Sequence, residues 1–307
     1  MMATVFYFNW EPELIRWMQQ FMGTIGVWIA SAVTTFGEKT ILVVILGYLY
    51  WCRDKRLAKM LGVNLVVAMI ANPMLKNLVF RTRPYFNHEG IQCLKPVDSS
   101  ASVYDISAQG YSFPSGHATN AATSFGTLSI KKGKWTFFLM GVGIPLAVGI
   151  SRVALGVHYP TDVAVGWILG YIIVFFGTWI QQQVKRENLF RGCLFLIVLI
   201  GCFYCRTDDY FTALGVMAGF FLAIPFEERF VNFEGTKSIP ASILRIVGGI
   251  GVYLVVNQLL KLPFTSRFVE AATWQAQLVR VVRYAIVMFC MIAVYPLCFK
   301  MRKRKGE

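Results

Sequence analysis

Three histidines occur in the 307-residue chain, and two of them fall where ionisable side chains crowd the edges of apolar runs. His158 lies in "SRVALGVHYPTD" (151–162), six residues after Arg152 and four before Asp162. At that spacing the carboxylate can accept the imidazole Nδ1–H, which fixes the tautomer and leaves Nε2 free as a nucleophile. His117 lies in "FPSGHATN" (113–120), where Pro, Ser and Gly precede an apolar run and mark a helix N-terminus. The N–H groups of Ser115 to His117 and the helix dipole favour an anion there, and Gly116 removes a side chain where a ligand would approach. The third stretch, "KNLVFRTRP" (76–84), carries Lys76 and Arg83 seven residues apart, so both are expected on one helix face that Pro84 ends.

Taken together, these groups describe phosphoryl chemistry. Lys76, Arg83 and Arg152 supply donors for the non-bridging oxygens of a tetrahedral dianion, and the helix N–H groups complete the cradle. His158 attacks and His117 protonates. Each stretch also has a plainer reading: snorkelling cations at a helix end, a capped helix with an interfacial histidine, and an Arg–Asp pair across a loop. The last of these leaves His158 without a task.

The elements that must position these residues are membrane spans. Hydrophobic residues make up 56% of the chain and the mean hydropathy is +0.55, too apolar for a soluble globule. A span needs about 20 mostly apolar residues, and ten segments qualify or nearly qualify: 18–36, 39–52, 57–80, 117–130, 135–154, 161–181, 190–206, 209–226, 243–260 and 281–299. The fold class expected is all-α, a polytopic transmembrane bundle. Its first segment follows "NWEPELIRWMQQ", which lacks the features of a cleaved leader, so no removable signal peptide is expected.

The formal net charge of +14 concentrates in short connections, "RDKR" (53–56), "KKGK" (131–134), "KRENLFR" (185–191) and "KMRKRK" (300–305). That is the positive-inside pattern. No basic stripe is interleaved with stacking aromatics, so nucleic acid is not an expected partner. With an even number of spans both termini fall on the cytoplasmic face, and the connections 81–116 and 154–160 fall on the outer one. The seven cysteines read as small apolar side chains, although Cys93, Cys202 and Cys205 lie where a disulfide could form. No metal-ligand spacing is present, and no metal or cofactor is expected. Tyr85, Phe86 and His88 read as interfacial residues near the entrance to the site, and His88 lies outside the three stretches.

In this order the three stretches resemble the tripartite signature of the type 2 phosphatidic acid phosphatase superfamily. The agreement covers eleven positions: Lys76, Arg83, Pro84, Pro114, Ser115, Gly116, His117, Ser151, Arg152, His158 and Asp162. That superfamily includes lipid phosphate phosphatases and is similar at its site to glucose-6-phosphatase and the vanadium haloperoxidases. The resemblance covers roughly residues 20–181 and implies a six-helix core. It also implies metal-independent hydrolysis through a phosphohistidine on His158, oriented by Asp162, with His117 as general acid. Lys76, Arg83, Ser115, Gly116 and Arg152 are then the phosphate-binding set.

Residues 1–181 are accordingly expected to form the phosphatase core, and 182–307 a membrane extension of about four further helices. Such extensions occur on bacterial members, which points to a bacterial inner membrane with the site on its outer face. The substrate expected is a lipid phosphate: phosphatidic acid, phosphatidylglycerol phosphate, undecaprenyl pyrophosphate, a sphingoid phosphate or lipid A. A lipid phosphotransferase would use the same histidines with another acceptor in place of water. A soluble sugar phosphate is a further alternative within the enzyme reading. From another class, a lipid transporter or scramblase that only binds headgroups needs the cations but has no use for an oriented histidine.

Overall fold

The computed structural model describes residues 4–130 and 132–299. The basic tail 300–305 and Lys131 lie outside the described residues. The helices that carry the argument are α1 (Trp10–Gln20), α2 (Thr24–Gly37), α3 (Lys39–Arg53), α4 (Lys55–Val79), α5 (Gly116–Ser129), α6 (Lys134–Ala154) and α7 (Pro160–Gln183). They continue with α8 (Glu187–Val198), α9 (Asp208–Val231), α10 (Ile239–Leu259) and α11 (Trp274–Phe299). Among the described residues extended pairing is limited to one isolated bridge, Thr4 with Arg81. The protein is an all-α integral membrane bundle.

Six helices, α4, α6, α7, α9, α10 and α11, are long and apolar enough to cross a membrane, and α2 with α3 makes a seventh if that pair, bent by 50°, is one span. This is fewer than the ten segments expected, for two reasons. Segments 18–36 and 39–52 are the bent pair, and α5 and α8 are only 14 and 12 residues long. α5 is also rich in Thr, Ser and Asn, and its residues from Ala118 to Ser129 are all buried. Neighbouring helices shelter it, so it needs no apolar surface of its own.

The chain forms two compact units, one from Met1–Leu42 with Ala71–Thr178, the other from Val43–Ile70 with Trp179–Glu307. Val43–Ile70 groups with the C-terminal helices. Specific contacts hold it there: the Lys55 ammonium pairs with buried Glu227 at 2.7 Å, the Tyr50 hydroxyl donates to the same carboxylate at 3.1 Å, and Gly62 lies against the Phe220 ring. In this second unit Gly215 and Gly219, four apart on α9, meet the backbone of α11 at Val281 and Ala285, the small-residue packing that membrane helices use. Of the glycines in "GGIG", Gly248 and Gly249 pack against Tyr295 and Trp51, while Gly251 faces open space.

In the first unit α5 and α7 pack through Gly166 and Gly170. A Cβ on Gly166 would lie 2.8 Å from the Ser115 carbonyl oxygen, and one on Gly170 would lie 2.6 Å from the Ala122 Cβ. Those separations are too short for any side chain, so the two glycines set how closely the helices approach. The consequence is functional in position: the start of α5 is pressed against the start of α7, and the Ser115 N–H donates to the Asp162 carbonyl at 2.9 Å.

One expectation about the path of the chain needs correction. α4 ends at Val79 and not at Pro84; Phe80 takes a left-handed φ of 54°, and residues 80–83 leave the helix. Lys76 and Arg83 therefore share no helix face. The residue before Pro84 is extended, as steric clash with the proline ring requires. The N-terminal segment packs against this stretch. Thr4 exchanges backbone hydrogen bonds with Phe80 (2.9 Å) and Thr82 (3.1 Å), beside the end of α4 that carries Lys76. The N-terminal segment from Thr4 and the Lys76 end of α4 thus lie together in the first unit.

Candidate active site

The site is assembled at the ends of α4, α5, α6 and α7 in the first unit. His158 sits in the short connection from α6 to α7 and is buried. Its Nδ1 lies 3.5 Å from Asp162 Oδ2 and 3.4 Å from Ser112 Oγ. The Ser112 hydroxyl in turn donates to Asp162 Oδ2. The imidazole edge therefore faces a hydroxyl–carboxylate pair, where the spacing alone pointed to a carboxylate. Asp162, in the first turn of α7, also accepts the Tyr159 N–H at 2.8 Å, so one carboxylate caps its helix and faces the histidine.

A guanidinium that sequence reasoning left out holds this carboxylate. Arg81 is fully buried and donates to Asp162 Oδ1 at 2.6 Å, to Glu11 Oε2 at 3.0 Å, to Thr161 Oγ1 at 2.7 Å and to the Phe6 carbonyl at 2.8 Å. Its plane lies 3.9 Å from the Tyr159 ring centroid. Glu11, from α1, is buried as well and accepts both the N–H and the hydroxyl of Thr161 at 3.0 and 2.7 Å. The signal for Arg81 was the first arginine in "FRTRP", two residues before Arg83; Glu11, some 70 residues away in the chain, gave none.

The expected phosphate-binding cations take up distinct positions. Arg83 is buried, its guanidinium fixed by the carbonyls of Gln109 (2.7 and 3.1 Å), Gly110 (3.1 Å) and Val157 (2.9 Å). Lys76 donates to the Tyr111 carbonyl at 2.8 Å. Arg152, at the end of α6, is buried with one contact to Thr34 Oγ1 at 3.4 Å, and its Nε has no hydrogen-bond partner among the described residues. Burial first, then the charges of Arg83, Arg152 and Lys76, push the His158 pKa well below its ordinary value, so all three cations act on one imidazole. A neutral imidazole is the nucleophilic form.

Ser115 is the N-cap of α5 and its hydroxyl accepts the Ala118 N–H at 3.5 Å. A Cβ on Gly116 would meet only Asn72 Oδ1, at an ordinary 3.5 Å, so packing within the protein does not demand glycine there. His117 lies in the first turn of α5 with its backbone against Gly37. The third histidine, His88, packs edge-on against Tyr7 at 4.4 Å and Tyr159 at 5.9 Å. All seven cysteines are free thiols, including Cys93, Cys202 and Cys205. Among the described residues no cluster of His, Cys, Asp and Glu could hold a metal ion.

Comparison with known proteins places this geometry. Residues 57–186 match the PAP2 superfamily, and residues 211–305 match a family described as PAP2 superfamily phosphatase, transmembrane extension. A decaprenylphosphoryl-5-phosphoribose phosphatase of Mycobacterium tuberculosis is 33% identical over 46% of this chain and 72% of its own. The chain belongs to the PAP2 superfamily. An undecaprenyl-diphosphatase of Sulfolobus acidocaldarius is 30% identical over 42% of this chain, an alignment that spans 58% of that relative, less than two thirds of its length. A solved structure of a transmembrane PAP2 type phosphatidylglycerolphosphate phosphatase from Bacillus subtilis is similar over 58% of this chain and 87% of that one, with 25% identity and a TM-score of 0.45. All eleven PAP2 signature positions fall within the residues matched to the superfamily. Arg81 and Ser112 also lie inside that range, whereas Glu11 lies outside it.

Proposed function

We propose that this PAP2 protein is a lipid phosphate phosphatase that works through a phosphohistidine on His158. The observation that carries the reading is the setting of that side chain. It is a buried imidazole whose Nδ1 edge faces Ser112 and Asp162 and whose other neighbours are the cations Lys76, Arg83 and Arg152. A headgroup-binding transporter would need the cations only.

In the proposed reaction Nε2 of neutral His158 attacks phosphorus, the P–N bond forms and the P–O bond to the lipid breaks. His117, protonated as the anionic phosphate enters among the cations, gives that proton to the leaving oxygen. Asp162, aided by Ser112, stabilises the positive charge that develops on the imidazole. The three cations and the N–H groups of Ser115 to His117 stabilise the equatorial oxygens as charge spreads over them. Water, deprotonated by His117, then cleaves the P–N bond and releases phosphate. A phosphomonoester or diphosphate on a lipid is the substrate class, a reading supported by relatives named for undecaprenyl and decaprenylphosphoryl compounds.

The membrane setting follows from charge. Lys55 and Arg56 lie at the end of α4 remote from Lys76, and Lys132 and Lys134 follow the end of α5 remote from His117. Basic residues favour the cytoplasmic side, so the site and the N-terminal segment face outward, in a bacterial inner membrane. The three signatures belong to a core within residues 1–181, and residues 182–307 form the extension, a division supported by the two separate family matches.

The deciding experiment is phosphate release by purified wild-type and His158→Ala protein from a panel of lipid phosphates, with radiolabelled acceptors to reveal transfer. The expected result is loss of release in the variant, an acid-labile phosphoenzyme trapped only in the wild type, full activity in EDTA and inhibition by vanadate. Wild-type rates in His158→Ala would sink the reading.

A further inference from the structure

The second unit contains buried cations of its own, far in sequence from the three signatures. The most apolar 18-residue stretch of α11 has a mean hydropathy of 2.0, yet the face the helix buries carries Gln277, Arg280 and Arg283, three residues apart and only 4%, 9% and 5% exposed. Three-residue steps keep all three on one side of the helix. Ionisable groups at such places are costly to desolvate and mark functional sites by default.

Part of this group is satisfied within the unit. Asp208, at the start of α9, pairs with Arg280 Nη1 and accepts Gln277 Nε2 at 2.7 Å, while Arg280 Nη2 donates to the Val269 carbonyl at 2.9 Å. The remainder is not. Arg280 Nε, Arg283 Nε, Arg283 Nη1 and Gln277 Oε1 are buried and have no hydrogen-bond partner among the described residues. Asp208 balances Arg280, but among the described residues no carboxylate pairs with Arg283, whose guanidinium lies 4.9 Å from the Tyr284 ring centroid. One positive charge, three donor nitrogens and one acceptor are left over on a single helix face.

Arg283 lies ten residues beyond the N-cap Thr273, about 15 Å along the helix axis at the usual rise. Helical side chains lean back toward the N-terminus, so its guanidinium is directed toward the level of Arg280 and Asp208. That depth is within reach of the headgroup layer from the end of a span.

We propose that Gln277, Arg280 and Arg283 form an anion site in the transmembrane extension that takes one phosphate group, from a lipid headgroup or from free phosphate. Guanidinium forks match phosphate oxygens in geometry, a singly charged phosphodiester neutralises the leftover charge, and Gln277 Oε1 accepts a hydroxyl of the same ligand. The site lies wholly within the second unit and rests on none of the roles given to the His158 site.

The test uses the full chain in a maltoside detergent, which contains no phosphate. Thermal stability and binding are measured with dioleoylphosphatidylglycerol, a phosphodiester that offers the proposed phosphatase no monoester, then with inorganic phosphate, then with uncharged dioleoylglycerol. Wild type is expected to gain stability with the phospholipid and not with dioleoylglycerol, and Arg283→Met and Gln277→Glu to weaken that binding by at least about tenfold. Gln277→Glu keeps the side-chain size and places a carboxylate among the arginines, so it carries the test if Arg283→Met does not fold. A response to inorganic phosphate alone that both variants lose supports the site and assigns it to the free anion. No response in wild type, or wild-type binding in either folded variant, overturns the proposal.

Discussion

Replacing Arg81 by Met keeps the length and apolar bulk of the side chain and removes the charge that joins two buried carboxylates. In the wild type the guanidinium donates to Asp162 at 2.6 Å, Glu11 at 3.0 Å, Thr161 at 2.7 Å and the Phe6 carbonyl at 2.8 Å. Removing one partner of a buried ion pair typically costs about 3–5 kcal/mol, and here two fully buried carboxylates lose their counter-charge together. Apolar contacts made by Met offset part of this, so the expected loss is about 4 kcal/mol, or a fall in Tm of roughly 8–16 °C at the 2–4 °C per kcal/mol usual for chains of this order. Phosphate release from a detergent-dispersed lipid phosphate is expected to fall at least about tenfold at a temperature where the variant is still folded, with kcat affected more than KM. The reason is that Asp162 loses the group that fixes Oδ1 while Oδ2 faces His158. The companion variant Glu11→Gln keeps Arg81 and tests the outer half of the bridge. In a double-mutant cycle the two changes are expected to couple by about 1–3 kcal/mol, since each removes the reason for the other's cost. An Arg81→Met protein with wild-type Tm and kcat within twofold would refute the argument that the N-terminal segment supports Asp162.

Other outcomes follow from the same geometry. Ser112→Ala removes the hydroxyl between His158 and Asp162 and is expected to lower kcat about tenfold, the equivalent of roughly 1.4 kcal/mol in the barrier, with little change in Tm; steady-state kinetics beside a melting curve check it. Gly166→Ala places a Cβ 2.8 Å from the Ser115 carbonyl, so it is expected to cost about 1–3 kcal/mol and to reduce activity by moving the start of α5; thermal unfolding with and without vanadate reads both effects. The lowered pKa of His158 gives a pH test. Below the ordinary histidine value of about 6.5 the unfolded chain takes up a proton that the folded site refuses, so the wild type loses stability relative to His158→Ala as the pH falls through that range; parallel stability curves for the two proteins would remove the basis for a neutral nucleophile. Reporters fused ahead of Thr4 and inserted at Lys132 are expected on opposite faces of the membrane; reporters on the same face would contradict the path described for the N-terminal segment.

The local part of the site was legible in the residues themselves. Asp162 follows His158 by four positions, and Pro, Ser and Gly before His117 announce a helix start with Ser115 as its cap; short-range geometry decides such features, and the structure places the groups accordingly. The all-α membrane class was equally open to reading, because long apolar segments have few alternatives in a bilayer. What spacing could not supply are contacts between residues distant in the chain. The Arg81 bridge to Glu11 and Asp162 closes over 70 and 81 residues, and Ser112 reaches Asp162 over 50. No period or motif spacing encodes those approaches. Spacing also misjudged the path after Lys76, and hydropathy the surroundings of α5. α5 is polar because its neighbours enclose it, and α4 unwinds at Phe80 so that Arg81 and Arg83 leave the helix. The amino-acid sequence by itself determined the all-α membrane class and which ionisable groups stand at the edges of its apolar runs, since side-chain type and local spacing are its direct content. Only the tertiary structure decided what holds those groups in place, because that depends on which buried charges find partners across the fold.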